Sequence, residues 1–106
     1  MSYRFMRMLI FFDLPTETSS DRRNYRLFRK MLIRNGFLMM QESVYCKLAL
    51  NATVAEAVVA NLRKNKPETG FVQVLTMTEK QFQKIEVIVG TSKRHVLDND
   101  ERLVVL

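Results

Sequence analysis

Apolar spacing changes repeatedly along this chain, and each change marks an element. Residues 4–12 read RFMRMLIFF, a nearly continuous apolar run that predicts a strand. Residues 14–19, with Pro15, read as a loop. Ser19 or Ser20 is placed to cap a helix, with Asp21 favourable in its first turn and Gly36 as terminator just past Asn35. Residues 37–40 predict a short strand, Gln41 and Glu42 a bulge or turn, and residues 43–48 a further strand. Asn51 is placed to cap a second helix, in which Val54, Ala55, Val58, Val59 and Leu62 recur at spacings of three and four. Residues 65–70 form a turn around Pro67, and residues 70–77 a strand. Thr78 is placed to cap a single helical turn over residues 79–82. Residues 85–89 read as a short strand, residues 93–101 are polar, and residues 103–106 read as a final strand.

The core order, strand-helix-strand-strand-helix-strand, predicts an α+β, ferredoxin-like βαββαβ domain over residues 1–90. Residues 91–106 are expected to form a C-terminal tail with one additional strand. Both helices of such a domain pack on one sheet face. The first strand is apolar on both: Met6, Met8, Ile10 and Phe12 point one way, and Leu9 and Phe11 point the other, between Arg7 and Asp13. A strand apolar on both faces needs cover on both. A second copy of the chain is the favoured cover, making a homodimer with Leu9 and Phe11 at the interface; a C-terminal fold-back within one chain is the alternative.

Composition narrows the class. The chain has 106 residues, 3 Gly and 2 Pro, which suits one soluble domain and excludes a low-complexity chain. No apolar run reaches the roughly 20 residues of a membrane span. Residues 8–12 resemble a signal-peptide core, but no small-residue cleavage site follows, so a cytoplasmic protein is expected, without a membrane partner. With Cys46 the one cysteine and His95 the one histidine, neither an intrachain disulfide nor a zinc site is expected.

Charge adds the first functional indication. Lys and Arg number 17 against 11 Asp and Glu, a net +6, which suits a polyanionic partner. On the first helix Tyr25, Leu27, Phe28, Met31 and Leu32 fall on one side, while Arg22, Arg23, Arg26, Arg29, Lys30 and Arg34 share an arc of roughly 140° on the other. Six cations without an interleaved acid repel one another, and a row of phosphates relieves that repulsion. A backbone-tracking nucleic-acid surface, indifferent to sequence, is therefore weighed against an ordinary solvated face and favoured. Arg63, Lys64, Lys66, Lys93 and Arg94 can extend it. Asp13 ends the first strand, where a carboxylate either bonds its loop or, paired across a two-fold axis, holds Mg²⁺. Residue types alone favour the loop role. Cys46 reads as core or interface, His95 as surface, and no glycine-rich phosphate loop is present.

Several segments together resemble the CRISPR-associated protein 2 family: residues 10–15 (IFFDLP), 21–26 (DRRNYR), 35–37 (NGF) and 41–48 (QESVYCKL). Residues 78–82 (TEKQF) resemble the version found beside the single-effector nuclease of type II systems. The resemblance implies a ferredoxin-like homodimer whose C-terminal segment, here Leu103, Val104 and Val105, crosses to the partner's sheet. It implies a CRISPR adaptation subunit that binds double-stranded DNA backbone and bridges dimers of the CRISPR-associated protein 1 integrase during spacer acquisition. The alternative it implies is a Mg²⁺-dependent endonuclease acting on single-stranded RNA or double-stranded DNA, with Asp13 as catalytic metal ligand; a toxin-like ribonuclease on the same fold is a third reading. Two positions depart from the family pattern. Phe12 stands where Tyr is common, and the loop after Asp13 reads Pro15-Thr16-Glu17 where further acids are common.

Overall fold

A computed structural model describes residues 4–90. The element order is β1 (Met6–Asp13), α1 (Ser19–Arg34), β2 (Leu38–Gln41), β3 (Val44–Ala49), α2 (Ala52–Lys64), β4 (Phe71–Thr78) and α3 (Glu79–Phe82). The sheet has strand order β2-β3-β1-β4, and every pairing is antiparallel. This is the expected ferredoxin-like α+β arrangement. Being central, β1 pairs with β3 on one side and with β4 on the other, so its alternating side chains set the character of both sheet faces.

Met8, Ile10 and Phe12 are buried with Phe28 and Leu32 of α1, Ala55 and Leu62 of α2, and Phe37, Tyr45 and Ala49. Phe12 is the hub: its ring meets those of Phe28 at 5.2 Å, Tyr45 at 5.6 Å and Tyr25 at 5.9 Å. Such pairs add about 0.5–1.5 kcal/mol each beyond burial. Leu27 departs from the expected apolar stripe and is half-exposed, because it lies about 100° round the helix from Phe28.

Local signals stop and start the helices. The α1 cap is Thr18 rather than Ser19 or Ser20: its Oγ1 accepts from Asp21 N at 2.9 Å, and Asp21 Oδ2 accepts from Thr18 N at 3.2 Å. At the other end Gly36 N donates to Ile33 O and Phe37 N to Leu32 O, with Gly36 at φ +90°. This closure swings Phe37 into the core. Asn51 caps α2 and Thr78 caps α3, as expected. The break at Gln41 and Glu42 is both a bulge and a turn: register shifts between Met39 and Gln41, and Ser43 has φ 67°.

The short strand expected over residues 85–89 is absent. Gln83 N, Lys84 N and Ile85 N donate to Glu79 O, Gln81 O and Phe82 O, so the chain turns where a ladder would have to begin. Ile85, Val87, Ile88 and Val89 follow as exposed apolar residues. The tail expected over 91–106, with its strand and with Leu103, Val104, Val105, His95, Lys93 and Arg94, lies outside the described residues. Among the described residues no helix is long and apolar enough to cross a membrane.

Candidate nucleic-acid and metal-binding surfaces

Asp13 is exposed at the C-terminal end of β1, opposite Phe71. Strand alternation puts it on the sheet face away from the helices, the face shared by Leu9 and Phe11. Gly70, at φ +94°, approaches its backbone closely: a Cβ there would stand 2.8 Å from Asp13 O and 2.7 Å from Leu14 Cδ2. Only glycine lets β4 begin this close to the strand end that carries the carboxylate. Asp21 belongs to the α1 cap. Among the described residues no three His, Cys, Asp or Glu side chains converge on one point. Asp13 is therefore an exposed carboxylate outside any three-ligand cluster of the described residues.

Among the described residues no helix covers the sheet face around Asp13. Leu38, Leu48, Phe71 and Leu75 are substantially exposed on it, Phe11 is 36% exposed, and Leu9 between Cys46 and Leu75 is only 6% exposed. Of the two residues expected at an interface, Phe11 therefore carries the accessible surface, and Leu9 is already covered within the protomer.

The opposite end of β1 is closed by a contact absent from the sequence reading. Arg7 donates from Nε and Nη2 to the two carboxylate oxygens of Glu79, both at 2.8 Å, and its guanidinium carbon lies 4.5 Å from the Phe82 ring centroid. This two-pronged ion pair fastens α3 to the sheet. The hydrogen bonds from Arg7 hold the Glu79 carboxyl below the usual glutamate range. Burial pushes the nearby Cys46 thiol up, away from nucleophilic character. Because the folded pKa of Glu79 is depressed, its contribution to stability is complete above the unfolded value, about 4.3, and is lost as pH falls through the lower folded value. Glu79→Gln is expected to be less stable than wild type at pH 7, with the difference closing below pH 4 or so. Urea denaturation at a series of pH values checks this, and a constant difference would show that the ion pair is not its source.

The α1 cations fall into two sets. Arg22 Nη1 donates to Thr16 O and Glu17 O, folding back on the loop that follows Asp13. Arg29 Nε donates to the Tyr45 hydroxyl at 2.8 Å, a bond that raises the guanidinium's already high pKa. Arg23, Arg26, Lys30 and Arg34 are exposed and have no hydrogen bond or ion pair to a described residue. Ile33, 53% exposed, interrupts the cationic arc. Tyr45 was missed as a partner of this surface, although strand alternation, with Val44 and Cys46 on the open face, already turned its ring toward the helices.

The fold and these surfaces define a small ferredoxin-like domain with a cationic helix on one side and a strand-end carboxylate on a sheet face that the described residues leave open. A model of the family described as CRISPR associated protein Cas2 matches residues 6–85. A Treponema denticola protein named CRISPR-associated endoribonuclease Cas2 is 55% identical over 101 residues, spanning 95% of this chain and 100% of its own length. Proteins of the same name from Lacticaseibacillus rhamnosus and Streptococcus mutans serotype c are 47% and 45% identical, each over 95% of this chain and over 100% and 93% of their own lengths. The chain belongs to the CRISPR-associated protein Cas2 family.

Proposed function

We propose that this protein is a metal-dependent endoribonuclease that acts as a homodimer, with Asp13 of each copy at a shared site. The observation that carries the reading is the exposed Asp13 on a largely apolar sheet face that the other described residues leave open. Monomers rarely leave so large an apolar surface in water. Two copies placed with these faces together bury Phe11, Phe71 and Leu75, and a two-fold axis near the strand ends supplies two carboxylates. The names of the relatives support nuclease chemistry.

One carboxylate per chain suits magnesium, which binds through one or two carboxylates and keeps water and phosphate oxygens for its remaining positions. When bound, Mg²⁺ supplies positive charge at the phosphate and acidifies a water molecule. The chain's own residues do the rest. Asp13 holds its position through the Gly70 approach, and α1 binds the polyanionic backbone. The dimer is tested by sedimentation at micromolar concentration. Wild type is expected as a dimer and Leu75→Arg as a folded monomer; a monomeric wild type would overturn the shared site.

A second reading is favoured by a separate observation, the four α1 cations without carboxylate partners among the described residues. In it the dimer binds double-stranded DNA by its backbone and bridges dimers of the CRISPR-associated protein 1 integrase. This role requires no chemistry from Asp13. A rigid helix carrying these cations along about 17 Å suits a duplex, whose phosphates keep fixed spacing.

A further inference from the structure

We propose that Tyr45 is a positioning residue for nucleic-acid binding: from inside the core it fixes the guanidinium of Arg29 for contact with a backbone phosphate. The inference rests on the duplex-binding reading of α1. Tyr45 is 1% exposed, and its ring is packed against Phe12. Its hydroxyl, on β3, reaches α1 and accepts from Arg29 Nε at 2.8 Å. A buried hydroxyl needs a partner, and a core residue could take one from the backbone. Here the partner is a side chain of the cationic face.

The geometry of the guanidinium gives the contact its meaning. Arginine has five N–H donors in a planar fork, and Nε contributes one. Tying Nε leaves both terminal nitrogens, and their parallel N–H bonds match two oxygens of a phosphate. It also removes side-chain freedom that an untethered arginine loses only on binding. Arg23, Arg26, Lys30 and Arg34 have no such tether to a described residue. Arg29 is therefore the pre-organised contact, and the others are adaptable.

A double-mutant cycle on duplex binding tests this, using a mixed-sequence DNA duplex of about three turns over a range of salt. Tyr45→Phe keeps the ring and the charge of the surface. It is expected to weaken binding about three- to tenfold while leaving the slope of log affinity on log salt unchanged. Arg29→Ala is expected to weaken binding and to lower that slope by about 0.9 for each Arg29 in contact. In the Arg29→Ala background, Tyr45→Phe is expected to have no further effect. Thermal melts run in parallel ensure that all forms are folded at the binding temperature. The proposal is overturned if Tyr45→Phe binds like wild type while Arg29→Ala binds weakly. It is equally overturned if the Tyr45→Phe loss persists at full size without Arg29, since the hydroxyl then acts on the fold. If both Arg29→Ala and Arg26→Ala bind as wild type, the reading of α1 itself fails, a result distinct from either of these.

Discussion

Asp13→Asn is expected to lower Mg²⁺-dependent cleavage of single-stranded RNA by about 10²-fold or more, since a divalent cation contributes several kcal/mol to such a step. The substitution keeps the shape of the side chain and removes its charge. Asp13 is exposed, and the close approach of Gly70 is to its backbone oxygen and to Leu14, so fold and dimer are expected to persist. In a dimer both carboxylates are lost together, which makes the effect larger than removal of one ligand from a richer site. Chelation of the metal from wild type should give the same residual rate. RNA cleavage measured against Mg²⁺ concentration, with sedimentation of the same samples, checks the expectation. Equal cleavage by the Asn form would move the chemistry away from this strand end. Duplex binding retained alongside lost cleavage would show that the two surfaces act separately.

Reversal of Arg23, Arg26 and Lys30 to Glu is expected to weaken duplex binding by about 10²-fold or more at low salt and to flatten its salt dependence. On the duplex-binding proposal, each reversal deletes a phosphate contact and adds a repulsive charge. These three side chains are exposed and make no hydrogen bond or ion pair to a described residue, so no native contact of theirs is lost. All three positions are exposed, so the melting temperature should change little. Arg22 and Arg29 are left in place because one ties the loop after Asp13 and the other bonds Tyr45. Undiminished affinity at low salt would show that the duplex contacts another surface.

The cationic arc of α1 was legible because helix periodicity is local: residues three and four apart share a face wherever the helix packs. The terminator at Gly36, the caps at Asn51 and Thr78 and the break near Gln41 were legible for the same reason. The α1 cap was misplaced by one or two residues because Thr18, Ser19 and Ser20 all carry a suitable hydroxyl. Only the bond from Asp21 N selects Thr18. The strand expected over residues 85–89 failed because an apolar run shows the capacity to extend and not the presence of a neighbouring strand. The turn after α3 removed that possibility.

Sequence by itself determined the succession of elements from β1 to α3, the two-faced character of β1, the cationic helix face and the strand-end carboxylate, since each depends on spacings of a few residues. Tertiary structure alone decided that Arg7 grips Glu79 across 72 positions, that Arg29 is held by a tyrosine rising through the core, and that Gly70 braces the backbone of Asp13. The physical reason is directional contact. Hydrogen bonds and close approaches need atoms within a few ångströms, and no residue pattern specifies that separation until the chain has folded.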